Sequence, residues 1–372
     1  MPRNNLYIGI LSGTSADSID ATLVDFESGI KILGNYSLTM PQKTKKKIFQ
    51  LVFKKKGKNF DKDLFELDME LGKLFSKVIL KLLKKYKMPA NQIAAIGCHG
   101  QTIKHNAFPK KPYSLQVANS EIIKKITNIK VISGFRQSDI ENGGAGAPLT
   151  PAFHNEFFSS NKIDRAIINI GGITNITLLP RNKKIKGWDI GPGNCLIDQA
   201  IKDFSKNKLQ FDLNGNYARK GDIKKLKKTI SNYLRKSYFN HPIPKSQSIE
   251  NYKFSDFNIH KLERKNINKY DIIAALTEIT FLSIKKDIEK YCKKGTEIFF
   301  CGGGSKNCFL ISKFQNLQEK NYKFKNTADL NIDPMKVEAL AFAWLAMKRN
   351  SKQKLNLKAV TGSKKSLIGK VI

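Results

Sequence analysis

Cysteine is scarce in this sequence and forms no metal-binding or disulfide pattern. The 372 residues include five cysteines, at positions 98, 195, 292, 301 and 308, and none belongs to a C-x-x-C pair. An odd number of scattered thiols argues against both a zinc site and a disulfide framework. We therefore expect reduced cysteines and no structural metal ion.

A long apolar run is also missing. No stretch approaches the roughly 20 apolar residues that a membrane-spanning helix needs. The short apolar run from Leu6 to Leu11 is followed by no signal-peptide cleavage site. The expectation is a soluble, cytoplasmic protein with no membrane partner.

Arginine is rare, although the chain is strongly basic. The formal net charge is +35, yet only eight of the 66 basic residues are arginine. Arginine is the residue best suited to bidentate recognition of phosphate and guanine, whereas the lysines are dispersed in runs such as Lys43 to Lys47 and Lys54 to Lys58. We interpret these runs as solvated surface and expect no nucleic-acid partner; a face that binds polyanions is the alternative.

The phosphate-binding motif G-x-x-x-x-G-K-[ST] is absent. Residues Thr361 to Ser366 resemble its last part but lack the upstream glycine, so we interpret them as a loop. A nucleotide site in this chain must therefore use another element.

Alternation and helical periodicity indicate a mixed α/β chain. Leu6 to Leu11 and Ile19 to Phe26 predict a β-hairpin with a polar tip. Apolar residues at helical spacing predict helices over Asp63 to Lys87, Tyr270 to Tyr291 and Val337 to Met347. A strand is expected over Ile93 to Ile96, and it should lead into a turn at Gly97 to Thr102. A helix and a short strand are expected within Val117 to Ile132, and another strand over Glu297 to Phe300. Loops with short helices are expected over Ser205 to His260.

The second half of the chain begins like the first. Arg165 to Ile170 predicts a strand, Gly171 to Asn175 a turn and Ile176 to Leu179 a returning strand, which echoes the hairpin near the N-terminus. With 41% hydrophobic residues, the chain is long enough for two core-bearing domains. We expect two similar lobes, 1–150 and 151–372, with the C-terminal segment able to pack back on the first.

The hairpin tip around Gly13 can bind phosphate. Small residues let backbone N–H groups and hydroxyls approach phosphate oxygens, and Asp17 and Asp20 could hold Mg²⁺. An ordinary hairpin turn is the alternative, and the echo at Gly171 and Gly172 favours the phosphate interpretation. Phosphoryl transfer needs such positioned donors, a divalent cation and an aligned nucleophile.

Three other places could carry chemistry, and each has a structural alternative. Asp189, in the run Trp188 to Asn194, could act as a general base at a strand end or could cap a turn. Arg136 and Asp139, before the glycine-rich run 143–148, could hold a polar substrate or form a linker ion pair. The triple glycine at 302–304, with Asn307, could accommodate a nucleotide base and ribose or form a plain turn.

Eight motifs, in this order, resemble those of the anhydro-N-acetylmuramic acid kinase family over nearly the whole chain. They are Gly9 to Ser15 with Asp17 and Asp20; His99 to Thr102; Phe135-Arg136 with Asp139 and Gly143 to Pro148; Asn169 to Gly172; Asp189 with Gly191 to Asn194; Pro244 to Ser246; Cys301 to Gly304 with Asn307; and Asp333-Pro334 with Glu338-Ala339. The resemblance implies an α/β, two-lobed kinase fold of the actin and hexokinase type, with a duplicated ribonuclease H-like core and a central cleft.

The resemblance also implies a reaction: 1,6-anhydro-N-acetylmuramic acid, ATP and water give N-acetylmuramic acid 6-phosphate and ADP, in the recycling of cell-wall sugar. Asp189 would be the catalytic base that deprotonates the water, and Asp17 and Asp20 remain the candidates to hold Mg²⁺. The residues implied to contact ATP are Gly13, Thr14, Ser15, Ala16, Asp17, Ser18, Ile19, Asp20, Gly171, Gly172, Gly302, Gly303, Gly304 and Asn307. The residues implied to contact the sugar are Gln101, Arg136, Asp139, Asn194 and Glu338. A homodimer is left open.

Several positions depart from the family pattern and bear on sugar selectivity. They are Ser18, Gly134, Ala145, Ile190 and Gln247 to Ile249. Two rival hypotheses follow: a related sugar kinase with another acceptor, and a non-catalytic basic homologue that binds anions or nucleic acid.

Overall fold

The computed structural model describes residues 5–55, 57, 59–106, 112–182, 184–243, 245–257, 267–315, 317 and 322–372. Its strands are β1 Leu6–Ser12, β2 Ser18–Asp25, β3 Lys31–Thr39, β4 Ala95–Asn106, β5 Tyr113–Val117, β6 Val131–Ser133, β7 Arg165–Ile170, β8 Ile173–Leu179, β9 Lys186–Pro192, β10 Glu297–Cys301, β11 Lys323–Asn326 and β12 Lys370–Val371. Its α-helices are α1 Gln42–Phe53, α2 Phe60–Lys85, α3 Ser120–Thr127, α4 Phe135–Glu141, α5 Thr150–Phe158, α6 Cys195–Phe204, α7 Lys227–Leu234, α8 Lys269–Tyr291, α9 Cys308–Gln315 and α10 Val337–Asn350.

The chain divides into two compact units. Unit 1 comprises residues 1–153 and 336–372, and unit 2 comprises residues 154–335. Residues 336–372 thus belong to the unit formed by the first part of the chain. Among the described residues, no helix combines the length and apolar character needed to cross a bilayer.

Each unit contains a sheet of the same pattern. In unit 1 the order is β12-β6-β4-β1-β2-β3, with β5 also paired to β4; in unit 2 it is β11-β10-β7-β8-β9. An antiparallel meander of three strands, β1 to β3 or β7 to β9, continues in each unit into parallel partners of its first strand. The echo between the two halves of the sequence is therefore a duplicated topology.

Helix α10 packs very closely on the unit 1 sheet because two strand residues lack a side chain. A Cβ atom at Gly9 of β1 would lie 1.8 Å from the carbonyl oxygen of Ala339, and one at Gly97 of β4 would lie 2.0 Å from that of Phe342. The core face of α10 is rich in small residues, including the fully buried Ala341 and Ala343. Backbone and small side chains therefore form this interface at close-packed density.

The amphipathic helices follow the predicted periodicity. Helix α2 buries Leu67, Leu71, Phe75, Val78 and Leu82, spaced three and four residues apart, which places them on one face. In unit 2, helix α8 begins at a capping box formed by Asn268 and Asp271 and contributes to both hydrophobic clusters of that unit. The predicted helices over Asp63 to Lys87, Tyr270 to Tyr291 and Val337 to Met347 are confirmed with end shifts of a few residues.

Two sequence predictions about turns are wrong. Gly97 to Thr102 lies inside the continuous strand β4 and not in a turn; Gly100 has a φ of 77° at a β-bulge, which inserts His99 as an extra residue opposite β1. Likewise, only Gly171 and Gly172 form the turn in unit 2, because β8 begins at Ile173. The region from Ser205 contains α7 and short 3₁₀ turns as predicted, and residues 258–260 of that range lie outside the described residues.

Gly9→Ala should destabilise unit 1 strongly. The added methyl group would overlap backbone of α10 that cannot move without losing its packing, so we expect a loss of about 1–3 kcal/mol in unfolding free energy. Thermal and urea denaturation measure it. Gly13→Ala is the matched control because a Cβ there meets no atom within 4 Å; equal stability of both variants would contradict this packing account.

The buried His154 should make the fold acid-sensitive. Burial lowers the pKa of His154 to about 3, whereas an unfolded histidine titrates near 6.5. As the pH falls from about 6.5 toward 3, the unfolded chain takes up this proton and the folded chain does not. The free energy of unfolding therefore decreases across that window, and the contribution of the neutral His154 is fully present above it. His154→Gln should flatten the curve of Tm against pH.

The control for this measurement is His241→Gln, because the side chain of His241 is exposed. It should follow the unaltered protein across the same pH series. A His154→Gln curve parallel to both would show that this histidine does not couple folding to protonation.

Candidate active site

The tip of the first hairpin is a tight, open turn. Ala16 N donates to the carbonyl oxygen of Gly13 at 2.9 Å, and Ala16 has a φ of 49°. A Cβ at Gly13 would meet nothing within 4 Å, and Thr14 is exposed. The backbone from Gly13 to Ser15 is therefore accessible to a ligand, whereas the side chains of Ala16 and Ile19 are fully buried.

The two aspartates beside this turn are engaged by protein cations and hydroxyls. Asp17 forms an ion pair with Lys45, which is buried. Asp20 accepts from Ser18 Oγ at 2.6 Å and from Ser37 Oγ, and Lys336 Nζ lies 3.7 Å from it. Within the described residues, no group of three Asp, Glu, His or Cys side chains could hold a metal ion. One or two carboxylates are enough for a Mg²⁺ ion that also binds phosphate oxygens and water, so the metal role of Asp17 and Asp20 stays a prediction.

Lys45 was missed by sequence reasoning and corrects one interpretation. The sequence predicts solvated surface for the run Lys43 to Lys47, but Lys45 is 7% exposed and forms an ion pair with Asp17. Its neighbours in the run have the same local composition, so only the packing of α1 distinguishes it. Lys336, just before α10, was also missed, because only the packing of that helix brings it to Asp20.

Arg136 is held by a neutral histidine. Its Nε donates to His99 Nε2 at 2.8 Å, and its Nη1 donates to the carbonyl oxygen of Gly146 at 3.3 Å. Burial, reinforced by the Arg136 charge, holds the pKa of His99 well below its usual range. An uncharged imidazole can accept from the guanidinium, so His99 fixes the direction of Arg136.

Asp139 contacts the glycine-rich loop. Its two carboxylate oxygens accept from Gly146 N and from Thr361 Oγ1, both at 2.8 Å, and the residue is fully buried. Ala145 N donates to the carbonyl oxygen of Thr361 at 2.9 Å. The geometry thus gives Asp139 a role in shaping the loop, and the sugar contact implied for it stays a prediction.

The glycine turns of unit 2 lie together around Asn194. Gly193 N and Asn194 N donate to the carbonyl oxygens of Gly172 and Gly171, at 3.0 and 2.8 Å. Asn194 Nδ2 donates to the carbonyl oxygen of Ile170 at 3.3 Å, and its Oδ1 would lie 3.1 Å from a Cβ at Gly304. The β7–β8 turn, the start of α6 and the third glycine turn are therefore adjacent.

Gly302 and Asn307 bound that third turn. Gly302 has a φ of 78°, and a Cβ there would lie 2.2 Å from Asn169 Oδ1, so both conformation and space require glycine. Gly303 begins a short 3₁₀ turn to Lys306, and Asn307 Oδ1 accepts from Leu310 N at 3.0 Å. The side chain of Asn307 caps helix α9, and its predicted contact with nucleotide stays a prediction.

Asp189 lies in the middle of β9, which corrects the prediction that it ends a strand. The strand runs to Pro192 and contains a bulge, because Asp189 pairs with Asn175 and Gly191 with Thr174. Ile190 is the extra residue. The bulge turns the strand locally, which is a common way of directing a functional side chain.

Two donors from one segment hold the Asp189 carboxylate. Ser246 Oγ and Gln247 N both donate to its Oδ2 at 2.8 Å, and Asp189 N donates to the carbonyl oxygen of Lys245 at 2.9 Å. Hydrogen bonds of this kind favour the charged form of a carboxylate. Asp189 is 8% exposed. The sequence identifies Ser246 only as part of the motif Pro244 to Ser246. Pro244 lies outside the described residues.

The strand behind Asp189 is anchored to helix α8. Trp188 Nε1 donates to Asp287 Oδ2 at 2.7 Å, and both side chains are buried. The hydroxyl of Tyr238 donates to the carbonyl oxygen of Asp189 at 2.5 Å. The carboxylate is therefore attached to a rigid strand, which a residue that must face one atom of a substrate requires.

Comparison with known proteins gives a consistent result. The family model described as anhydro-N-acetylmuramic acid kinase matches residues 5–372. Two curated proteins of that name, from Saccharophagus degradans and Shewanella sediminis, are 38% and 39% identical to this chain, and each match covers 98% of both sequences. A third protein of that name, from Coxiella burnetii, is 37% identical over 99% of this chain and 97% of its own length.

Among solved structures, the (R)-2-hydroxyglutaryl-CoA dehydratase component A of Acidaminococcus fermentans matches with a TM-score of 0.50 and 11% identity, covering 94% of this chain and 100% of that one. At that identity the likeness shows the fold alone, which is the α/β fold of the actin and hexokinase type, as the family resemblance implies. The sequence matches go further, since they extend over almost the whole chain. This chain belongs to the anhydro-N-acetylmuramic acid kinase family.

Proposed function

We propose that this chain uses ATP and water to convert 1,6-anhydro-N-acetylmuramic acid into N-acetylmuramic acid 6-phosphate and ADP. Its place would be the cytoplasmic recycling of cell-wall sugar. Family membership over residues 5–372 supports the substrate and the reaction. The observation in the structure that carries the proposal is the carboxylate of Asp189, held by Ser246 and Gln247.

In the proposed reaction Asp189 acts as the general base. It takes a proton from a water molecule as the water oxygen attacks the anomeric carbon of the sugar. The bond between that carbon and O6 breaks, and O6 forms a bond to the γ-phosphorus of ATP while ADP leaves. Atoms and charge balance with one base and one ATP, so no covalent intermediate with the protein is needed.

The turns described above are assigned to ATP. Backbone N–H groups from Gly13 to Ser15, with the glycine turns at 171–172 and 302–304, would contact phosphates and nucleoside. Asp17 and Asp20, next to this turn, would hold the Mg²⁺ ion of the nucleotide directly or through water, and the ion would neutralise phosphate charge. Arg136, with its fixed direction, and Glu338 in the first turn of α10 would contact the sugar.

Replacement of the base should abolish turnover. Asp189→Asn keeps the size of the side chain and an oxygen for Ser246 and Gln247 but cannot accept the proton, so kcat should fall by about 10²- to 10⁴-fold. A coupled assay of ADP release, with Mg²⁺ and the anhydro sugar present or omitted, measures this. In ¹⁸O-labelled water the label should appear in the anomeric hydroxyl.

The matched control is Asp203→Asn, the same exchange at an exposed position of α6. It should leave turnover unchanged, and ATP affinity should be unaffected in both variants. Full activity of Asp189→Asn would show that Asp189 is not the general base. ADP release that depends on another amino or anhydro sugar would favour the different acceptor, and salt-sensitive retention of nucleic acid without sugar-dependent ADP release would favour the non-catalytic homologue.

Ser246 should act as a positioning residue for that base. Ser246→Ala removes a donor to the carboxylate, which then binds a proton more tightly. We expect kcat to fall about tenfold and the acid limb of the kcat–pH profile to move to higher pH. Ser246→Thr, which keeps the hydroxyl, should restore both.

Ser312→Ala is the control, because this serine is exposed on α9 and its hydroxyl donates to the carbonyl oxygen of Phe309 at 3.0 Å. A purely structural role of Ser246 would lower stability without moving the pH profile. An unshifted profile in Ser246→Ala would therefore contradict the positioning role.

A further inference from the structure

Two neighbouring polar atoms in unit 1 are buried without a partner. Ser12 Oγ and Gln101 Oε1 form no hydrogen bond with any described residue, and both residues are only 1% exposed. Buried polar atoms in folded proteins are almost always paired, so each exception calls for an explanation. One common explanation is a ligand that supplies the missing partner.

The sheet places these two residues side by side. Ser12 and Gln101 are paired in the parallel register of β1 and β4, immediately after the bulge at Gly100. Residues paired in register direct their side chains to the same face of a sheet. Ser12 is also the last residue of β1, and ligands of α/β proteins bind beyond the carboxyl ends of parallel strands.

The hydrogen bond of the Gln101 amide shows which of its two polar atoms lacks a partner among the described residues. Its Nε2 donates to the carbonyl oxygen of Thr102 at 3.1 Å. Because that carbonyl can only accept, the nitrogen must face it and the oxygen must be the atom without a partner. Gln101 therefore presents an acceptor, and Ser12 presents a hydroxyl that can donate or accept.

This combination does not suit a phosphate. Phosphate oxygens at neutral pH are acceptors, so they would repel Gln101 Oε1. A hydroxyl or an amide N–H would donate to Gln101 Oε1 and, with a neighbouring oxygen, would satisfy Ser12 Oγ. The anhydro sugar carries such groups, and the triphosphate of ATP does not.

We infer that Ser12 and Gln101 form a neutral subsite that accepts a hydroxyl or amide group of the sugar, immediately before the turn that contacts ATP. This inference rests on the proposed function. It gives Ser12, the first residue of the Ser12-Gly13-Thr14-Ser15 turn, a role on the sugar side. The boundary between the two substrates in unit 1 then falls between Ser12 and Gly13.

The test relies on the Ser12 hydroxyl being buried without a hydrogen-bond partner among the described residues. Ser12→Ala should raise the KM for the anhydro sugar about tenfold and leave the KM for ATP within twofold. The Tm of the ligand-free protein should stay the same or rise, because removing an unpaired buried hydroxyl removes a desolvation penalty. Gln101→Leu should also raise the KM for the anhydro sugar. In the double variant this KM should rise by less than the product of the two single fold-changes.

Ser76→Ala is the matched control. Ser76 is equally buried, but its hydroxyl donates to the carbonyl oxygen of Gly72 at 2.8 Å. This variant should lose Tm and keep both KM values. The opposite behaviour of two buried serines would separate a ligand contact from a structural one.

The outcomes distinguish the inference from the proposed function. A lower Tm of Ser12→Ala with an unchanged sugar KM would overturn the subsite, and so would a rise in the KM for ATP alone. The increase in Tm on adding the sugar without ATP gives a readout independent of turnover; it should be present in the unaltered protein and much smaller in Ser12→Ala. If the unaltered protein binds the sugar but releases no ADP, the proposed reaction fails and the subsite stands; if it does not bind the sugar, both fail.

Discussion

The close approach of helix α10 to the strands of unit 1 is the constraint on which that unit depends. Gly9 and Gly97 bring the helix backbone within contact of the sheet, and nothing larger than hydrogen can occupy either position. Because α10 is formed by residues 337–350, unit 1 is complete only when the chain returns to it after building unit 2. Lys336, just before this helix, owes its position beside Asp20 of β2 to that packing.

The duplicated sheet explains why candidate functional residues recur at corresponding points of the two units. The first strand of each meander leads into a turn that begins with small residues, Gly13 after β1 in one unit and Gly171-Gly172 after β7 in the other. The units then differ in what surrounds this turn: aspartates and lysines in unit 1, and the carboxylate of Asp189 with its donors in unit 2.

Much of the fold could be predicted from the sequence, because periodicity within a segment reports its type and its buried face. The hairpin at Leu6, the helix α2 and the strand β7 are examples. The bulges could not be predicted, since an extra residue such as His99 or Ile190 is defined only against the partner strand. For the same reason Gly100 looked like a turn and Asp189 like a strand end.

The sequence indicates some residues of the candidate site but not the residues that contact them. Residues with special backbone needs, such as Gly302, and the carboxylate of Asp189 are visible in local sequence or through family resemblance. Their partners are not, because Lys45 is one of several lysines in its run and Ser246 reaches Asp189 from 57 positions away. One departure from the family pattern is clearer in the structure: Gln247 contacts Asp189 through its backbone N–H, so this hydrogen bond does not depend on its side chain.

The hydrogen bond from Thr361 to Asp139 joins residues 222 positions apart. The glycine-rich loop is further tied to the same late segment by Ala145 and by Lys364 N, which donates to the carbonyl oxygen of Asn142. During synthesis the loop therefore cannot take its final form until Thr361 and Lys364 have left the ribosome. A nascent chain that still lacks residues 361–364 has none of these three contacts to the loop that follows Arg136.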